Sequence, residues 1–325
     1  MNITDKKWVD AIYKPRWILF TWKYTDWNVI YFNFLSSLYK ELNSRKEISS
    51  IYITRFQVDE NEFKVNIAVN TSMYHVEEIR KFVFEEFDKY KGSSFFALES
   101  KYDQIEFKDY HIFSGLGASK LLYESILPIT SNCLLSFMAE FGENFDLETA
   151  LEKSIPITLG LLHAAGLEKD QMHLFYDYFF NLQLRHINTV ETNDELRDNY
   201  INEVRKNYLL QKDAFIGISD YLSDALLENE MVDEDWINEW FGECRKIREQ
   251  VIHLPEHMYI ASFNFQPDED SKLDLLTQKK FNIIQSLLSE VHWQTGITYV
   301  YHMNLIYALK EGFKSIFETK QYQKY

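Results

Sequence analysis

"SSIYITRFQVDENEFKVNIAVN", residues 49–70, decides how the first third of this chain folds. Two runs rich in β-branched and aromatic residues, 49–58 and 62–70, flank the polar stretch "DEN" at 59–61. That is the pattern of two antiparallel strands joined by a tight turn. The second run alternates strictly. Phe63, Val65 and Ile67 turn inward, and Glu62, Lys64 and Asn66 take the three polar positions on the other face.

Working outward from the hairpin, "WILFTW" (17–22) follows Pro15 and reads as a strand, and "NVIYFNFLSSLYKELN" (28–43) has the period of a helix. Beyond it, "HVEEIRKFVFEEFDKY" (75–90) is an amphipathic helix and "SSFFALESKYDQIEF" (93–107) supplies one or two strands. The resulting order, β-α-β-β-α-β, is the ferredoxin-like split motif with an antiparallel sheet. From residue 115 onward the signals are helical throughout. Residues 117–141 carry Pro128 in mid-helix, and 146–166 begin on Asp146 as N-cap and end on Gly166. Further helices are expected over 168–185, 192–228, 231–252, 271–293 and 298–313. The fold class is therefore α+β, a ferredoxin-like sheet followed by a helical C-terminal part. The expected parts are 1–112 and 113–325, acting as one functional unit because a small sheet needs helices to cover its open face.

Composition narrows the function. A hydrophobic share of 46% excludes a disordered chain, and only 10 Gly and 5 Pro favour long regular elements. The formal charge of −16 argues against a nucleic-acid partner. Cys133 and Cys244 have no metal or disulfide spacing, so a reducing cytoplasm is the expected compartment. No apolar signal segment opens the chain and no continuous run of ~18 apolar residues occurs, so no membrane partner is expected. Aromatic residues reach 16%, enough to fill a core and also to line a pocket for flat groups.

Generic motifs are scarce. Neither GxGxxG nor a P-loop is present, and "HIFSGLGAS" (111–119) is at most a weak anion site at a helix start. His163 and His173 lie ten apart, while His253 and His257 straddle Pro255, so no metal site is expected. Near the C-terminus, "WQTGITYVYHMNLIYAL" (293–309) places His302 inside an apolar, aromatic run. Taken alone, this stretch is a buried helix with a core histidine bonded to a carbonyl. A buried imidazole is also a natural proton-transfer group.

Several stretches, read in order, resemble the thiopeptide-type bacteriocin biosynthesis family, which is similar to the C-terminal glutamate-elimination domain of lantibiotic dehydratases. "WILFTWKY" resembles its Trp-rich first strand, and "IYITRF" supplies an Arg-aromatic pair, Arg55 and Phe56. "EFKVNIAV" takes the place of a His-x-Arg-x-Arg strand. "FSGLGASKLLYESILPITS" keeps Gly115, Glu124 and Ser131 at the family's spacing, and "YHMN" supplies its His-Met pair, His302 and Met303. The departure is at Lys64 and Asn66, where the elimination domains carry arginines that resemble a clamp for the glutamyl carboxylate. Neither residue reproduces arginine's bidentate fork.

The resemblance is greatest to the thiopeptide pyridine synthases. It implies a formal [4+2] aza-cycloaddition of two dehydroalanines in a dehydrated, azole-containing precursor peptide, with release of the leader. It implies no cofactor and no metal. It assigns His302 and Tyr301 to acid-base chemistry and Arg55 to polarising an amide oxygen. Lys64, Asn66, Gly115, Glu124 and Ser131 would bind substrate. Arg55, Lys64 and Asn66 are expected to project into the same cavity as His302. The expected partner is the leader-bearing precursor, and a homodimer or association with other biosynthetic enzymes is compatible with the resemblance. Two alternatives stay open: glutamate elimination in a split dehydratase, and a non-catalytic precursor-binding partner.

Overall fold

The computed structural model describes residues 15–24, 26–59, 62–93, 106–110, 117–190, 194–261, 265–268, 272–297 and 299–322. Strand β1 (Pro15–Tyr24) leads into α1 (Trp27–Ile30), which winds through a π-helical segment (Tyr31–Leu35) into α2 (Ser36–Asn43). The hairpin follows as β2 (Ile48–Asp59) and β3 (Glu62–Ser72), then α3 (Val76–Lys91) and β4 (Glu106–Tyr110). The strands lie in the order β2-β3-β1-β4, with every neighbour antiparallel. Among the described residues the sheet is antiparallel throughout, not parallel and doubly wound, and the chain is α+β. Of the one or two strands expected over 93–107, residues 94–105 lie outside the described residues and 106–107 begin β4.

One face of this sheet is apolar because each strand alternates. Ile18, Phe20 and Trp22 of β1 meet Ile51 and Ile53 of β2 and Val65, Ile67 and Val69 of β3. Phe34 and Leu38 of the first helical run and Val83 and Phe87 of α3 pack on them. The inward set expected for β3 is thus the observed one.

The remaining elements are helices: α4 (Ala118–Phe141), α5 (Leu147–Ala164), α6 (Lys169–Val190), α7 (Asp194–Glu228), α8 (Asp235–Val251), α9 (Leu275–Thr295) and α10 (Tyr299–Tyr322). Two compact units result, Met1–Ser114 with Leu127–Phe145, and Gly115–Ile126 with Asp146–Tyr325. The division between these units runs through α4, beside Pro128. Helix Ala118–Asn144 is long and apolar enough to meet the length and composition of a membrane span, which the sequence reading did not expect. Half of that window is buried inside the fold.

Within the second unit, Asp146 caps α5 by accepting from the Thr149 amide at 2.9 Å, and Gly166 ends the helix with φ +86°. The middle of α5 is buried on nearly every side. At Gly160 a Cβ would stand 2.3 Å from Trp240 Nε1 of α8, so only glycine admits the indole. That indole donates to the Pro156 carbonyl at 3.0 Å. Helix α10 packs along α7 and α6, and α9 along α5 and α6.

Candidate functional site

His302 lies in the core of the second unit, 3% exposed, with the Phe179 ring edge-on at 5.2 Å. Its partner is a second histidine that the sequence reading did not single out. The His302 and His292 Nδ1 atoms are 2.8 Å apart, and His292 Nε2 is 2.8 Å from the Thr158 hydroxyl oxygen. Burial lowers the His302 pKa to about 4, and burial together with the His302 ring lowers His292 well below the usual imidazole range. Both rings are neutral at pH 7, so one Nδ1 donates and the other accepts. If His302 donates, His292 can donate in turn to Thr158. That arrangement leaves a lone pair, not an N–H, on His302 Nε2, which has no hydrogen-bond partner among the described residues.

The next residue faces elsewhere. Tyr301 is 41% exposed and lines a cavity of about 730 Å³. Tyr301, Asn304, Leu305 and Ala308 of α10 form its third wall, whereas His302 is turned roughly 100° away along the helix and is not on the wall. Helix α5 contributes Leu147, Glu148, Leu151, Glu152 and Ile155. From α7 come Asn207, Tyr208, Gln211, Ala214, Phe215 and Ile218. No lysine or arginine occurs among the described residues of this lining. The α7 residues were legible in principle, since Asn207, Gln211 and Phe215 recur at helical spacing, but nothing in the sequence sets them opposite Tyr301. Also unforeseen is Glu290 of α9, whose carboxyl burial pushes up to about 7.

In the first unit the strand residues separate. Arg55 pairs with Val65 and so shares the helix-covered face with Ile53. Its guanidinium lies 4.2 Å from the Trp27 ring centre, close to the Tyr24 phenol. Burial lowers its pKa, against the opposing effect of Tyr24. Lys64 and Asn66 point to the other face. The expectation that Arg55 and Lys64 project together is therefore corrected by the register. Asn66 Oδ1 accepts from the Thr21 hydroxyl at 2.7 Å and its Nδ2 donates to Thr54 Oγ1 at 3.3 Å, so it straps three strands together. Lys64, half-buried, stands directly opposite Lys23 of β1.

Ser131 is fully buried in the first unit and bonds the edge strand. Its hydroxyl accepts from the Ile53 amide at 2.9 Å and donates to the Leu127 carbonyl at 2.8 Å. This satisfies an outward-facing amide of β2, which has a strand neighbour on one side only among the described residues. Glu124 sits 3.8 Å from Lys120, one turn away on α4. Gly115 lies outside the described residues. Its neighbour Gly117 has φ +78° and bridges Tyr259, and a Cβ there would meet the Met258 carbonyl oxygen at 2.3 Å.

No protein-family model matches the sequence, and no curated protein sequence matches it. Solved structures do match. The chain has the fold of a pyridine synthase: it superposes on "Pyridine synthase, TbtD, from thiomuracin biosynthesis" with a TM-score of 0.66 and 11% identity, covering 94% of this chain and 99% of that one. It also superposes on TsrL with a TM-score of 0.62 and 12% identity, covering 94% and 96%. The first of these structures is thus of the kind the motif resemblance points to.

Proposed function

We propose that this protein is a thiopeptide-biosynthesis enzyme that closes a pyridine ring on a dehydrated, azole-containing peptide. The observation that carries this reading is the likeness to the TbtD pyridine synthase along 94% of the chain and 99% of that protein. The sheet order β2-β3-β1-β4 supports a ferredoxin-like first part. The two parts act together as one functional unit, in the cytoplasm.

In the proposed reaction, one dehydroalanine and the iminol form of its neighbouring amide make a 2-azadiene. A second dehydroalanine, bearing the leader on its nitrogen, is the dienophile. Two bonds form, CH₂ to CH₂ and iminol carbon to dienophile α-carbon. Loss of water and then of the leader as its C-terminal amide gives the aromatic pyridine. No electrons are exchanged with a cofactor. The chain has to bring two distant parts of one peptide together and to move protons. The cavity walled by α5, α7 and α10 suits that task, with the Tyr301 phenol as the proton donor at its wall. His302 acts behind that wall as a positioning residue, fixing α10 against α9 through His292.

A second reading, glutamate elimination, is favoured by the register that sets Lys64 opposite Lys23, since two neighbouring lysines on one sheet face would attract a carboxylate. It loses Arg55 as their companion, because Arg55 lies on the opposite face. The test is incubation with a leader-bearing peptide holding two dehydroalanines and thiazoles. Mass spectrometry should detect a macrocycle and the free leader ending in a carboxamide. Release of glutamate from a glutamylated peptide, with the dehydrated one untouched, would establish elimination instead. Binding of both without change would leave a non-catalytic precursor-binding partner.

A further inference from the structure

The cavity beside Tyr301 has an uneven distribution of charge. Its α5 wall carries Glu148 and Glu152, one turn apart and therefore on one face. Its α7 wall carries two carboxamides, Asn207 and Gln211, again one turn apart, with Phe215 a turn further on. One nearby cation, Lys153, is shared between Glu152 and Glu234 and so offsets the carboxylates only in part. Lys153 belongs to a smaller adjoining recess that shares Glu152 and Ile218 with the cavity. Its ammonium is held 2.8 Å from Glu234 Oε2 and 3.5 Å from Glu152 Oε1, with the Trp236 indole also donating to Glu234 at 2.6 Å.

We propose that this cavity is a charge filter, in which Glu148 and Glu152 turn away peptide segments bearing a carboxylate while Asn207 and Gln211 bind the amide groups of a neutral or basic segment. The inference deepens the cyclase reading and rests on it for the identity of the peptide. Carboxamides offer both a donor and an acceptor, which matches a peptide bond and gives no preference for an ion. The two glutamates are solvent-exposed, so their repulsion is moderate and falls with salt. That salt dependence separates a field effect from a steric one.

The test uses the full chain and three heptapeptides, each with one dehydroalanine and two thiazoles, so that none can cyclise. They differ at a single central position, which is Gln, Glu or Lys. Calorimetric titration at low salt should give binding of the Gln and Lys peptides and about five-fold weaker binding of the Glu peptide. At about 0.5 M salt the gap should close to within about two-fold. The double variant Glu148→Gln/Glu152→Gln should close it at low salt as well. Asn207→Ala/Gln211→Ala should weaken all three peptides alike, by about ten-fold. Circular dichroism confirms that each variant is folded. Equal or tighter binding of the Glu peptide, an unchanged gap in the glutamine variant, or no binding of any peptide overturns the filter. Turnover of the leader-bearing, two-dehydroalanine peptide is measured in parallel. Turnover without discrimination removes the filter and leaves the cyclase; discrimination without turnover does the reverse.

Discussion

The buried histidine pair makes the second unit sensitive to acid in a way that can be worked through. His302 titrates near 6.5 when unfolded and at about 4 when folded. Between those values the unfolded chain binds a proton that the folded one refuses. Stability therefore falls as pH drops from 6.5 to 4. The slope is about 1.4 kcal/mol per pH unit and the total about 3 kcal/mol, a large part of a typical domain's stability. His292 adds in the same sense, and so does His163, also held at about 4 by burial and by Arg248 and Arg245. Glu290, raised to about 7, works in the opposite sense over the same interval. The total slope therefore mixes several groups, and the informative quantity is a difference. His302→Asn keeps an atom near the Nδ1 position to meet His292 but cannot take up a proton. Urea unfolding followed by tryptophan fluorescence at pH 7.5, 6.5 and 5.5 should show a shallower pH dependence in the variant, by close to one proton. The variant should be less stable at pH 7.5 by about 1–2 kcal/mol for the lost ring, and the two curves should converge toward pH 5. Parallel curves for the two proteins would mean that His302 is protonated as easily folded as unfolded, and the argument would fail.

Other substitutions probe separate parts of the fold. Ser131→Ala leaves the Ile53 amide without its partner at a buried edge and should cost about 1–3 kcal/mol in chemical denaturation, with little effect on turnover beyond that. Tyr301→Phe keeps the ring and removes the hydroxyl. It should lower cyclisation by ~10²-fold while leaving the thermal midpoint unchanged, and a full-rate variant would remove Tyr301 from the chemistry. Glu290→Gln should stabilise the chain at pH 8, where the native carboxylate is charged and desolvated, and do little at pH 5. A pH-independent effect would mean that the carboxyl is well solvated.

Alternation made the hairpin legible, and it held more than was taken from it. Ile51, Ile53 and Arg55 are spaced by two, so the apolar pair already puts Arg55 on the inner face. Proximity across the turn suggested a pairing with Lys64 that the register denies, since a shift of one residue exchanges the faces of a strand. His302 was visible as an anomaly, but its partner was not. His292 reads as one more residue at the end of an apolar helix, and only the turn from α9 into α10 brings the rings together. The cavity was beyond reach for a similar reason: Glu148, Gln211 and Tyr301 are far apart in the chain and each looks like an ordinary helix-surface residue. Ser131, taken from the family's spacing as a substrate contact, turns out to bond a strand edge, a role that spacing alone does not distinguish from binding.

The Gly160–Trp240 contact has a consequence for how this sequence can change over generations. A single methyl group at position 160 would collide with the indole and with the Cys244 sulfur, so neither helix can drift alone. Relatives should vary at these positions as a set, with alanine or serine at the first accompanied by a smaller ring or an aliphatic residue at the second. Changes made one at a time would each be harmful, yet the pair should be nearly neutral, and the measured coupling between them should be strongly non-additive. Such linked exchange would leave a covariation trace between α5 and α8 that persists after overall identity has fallen to the level shared with TbtD and TsrL.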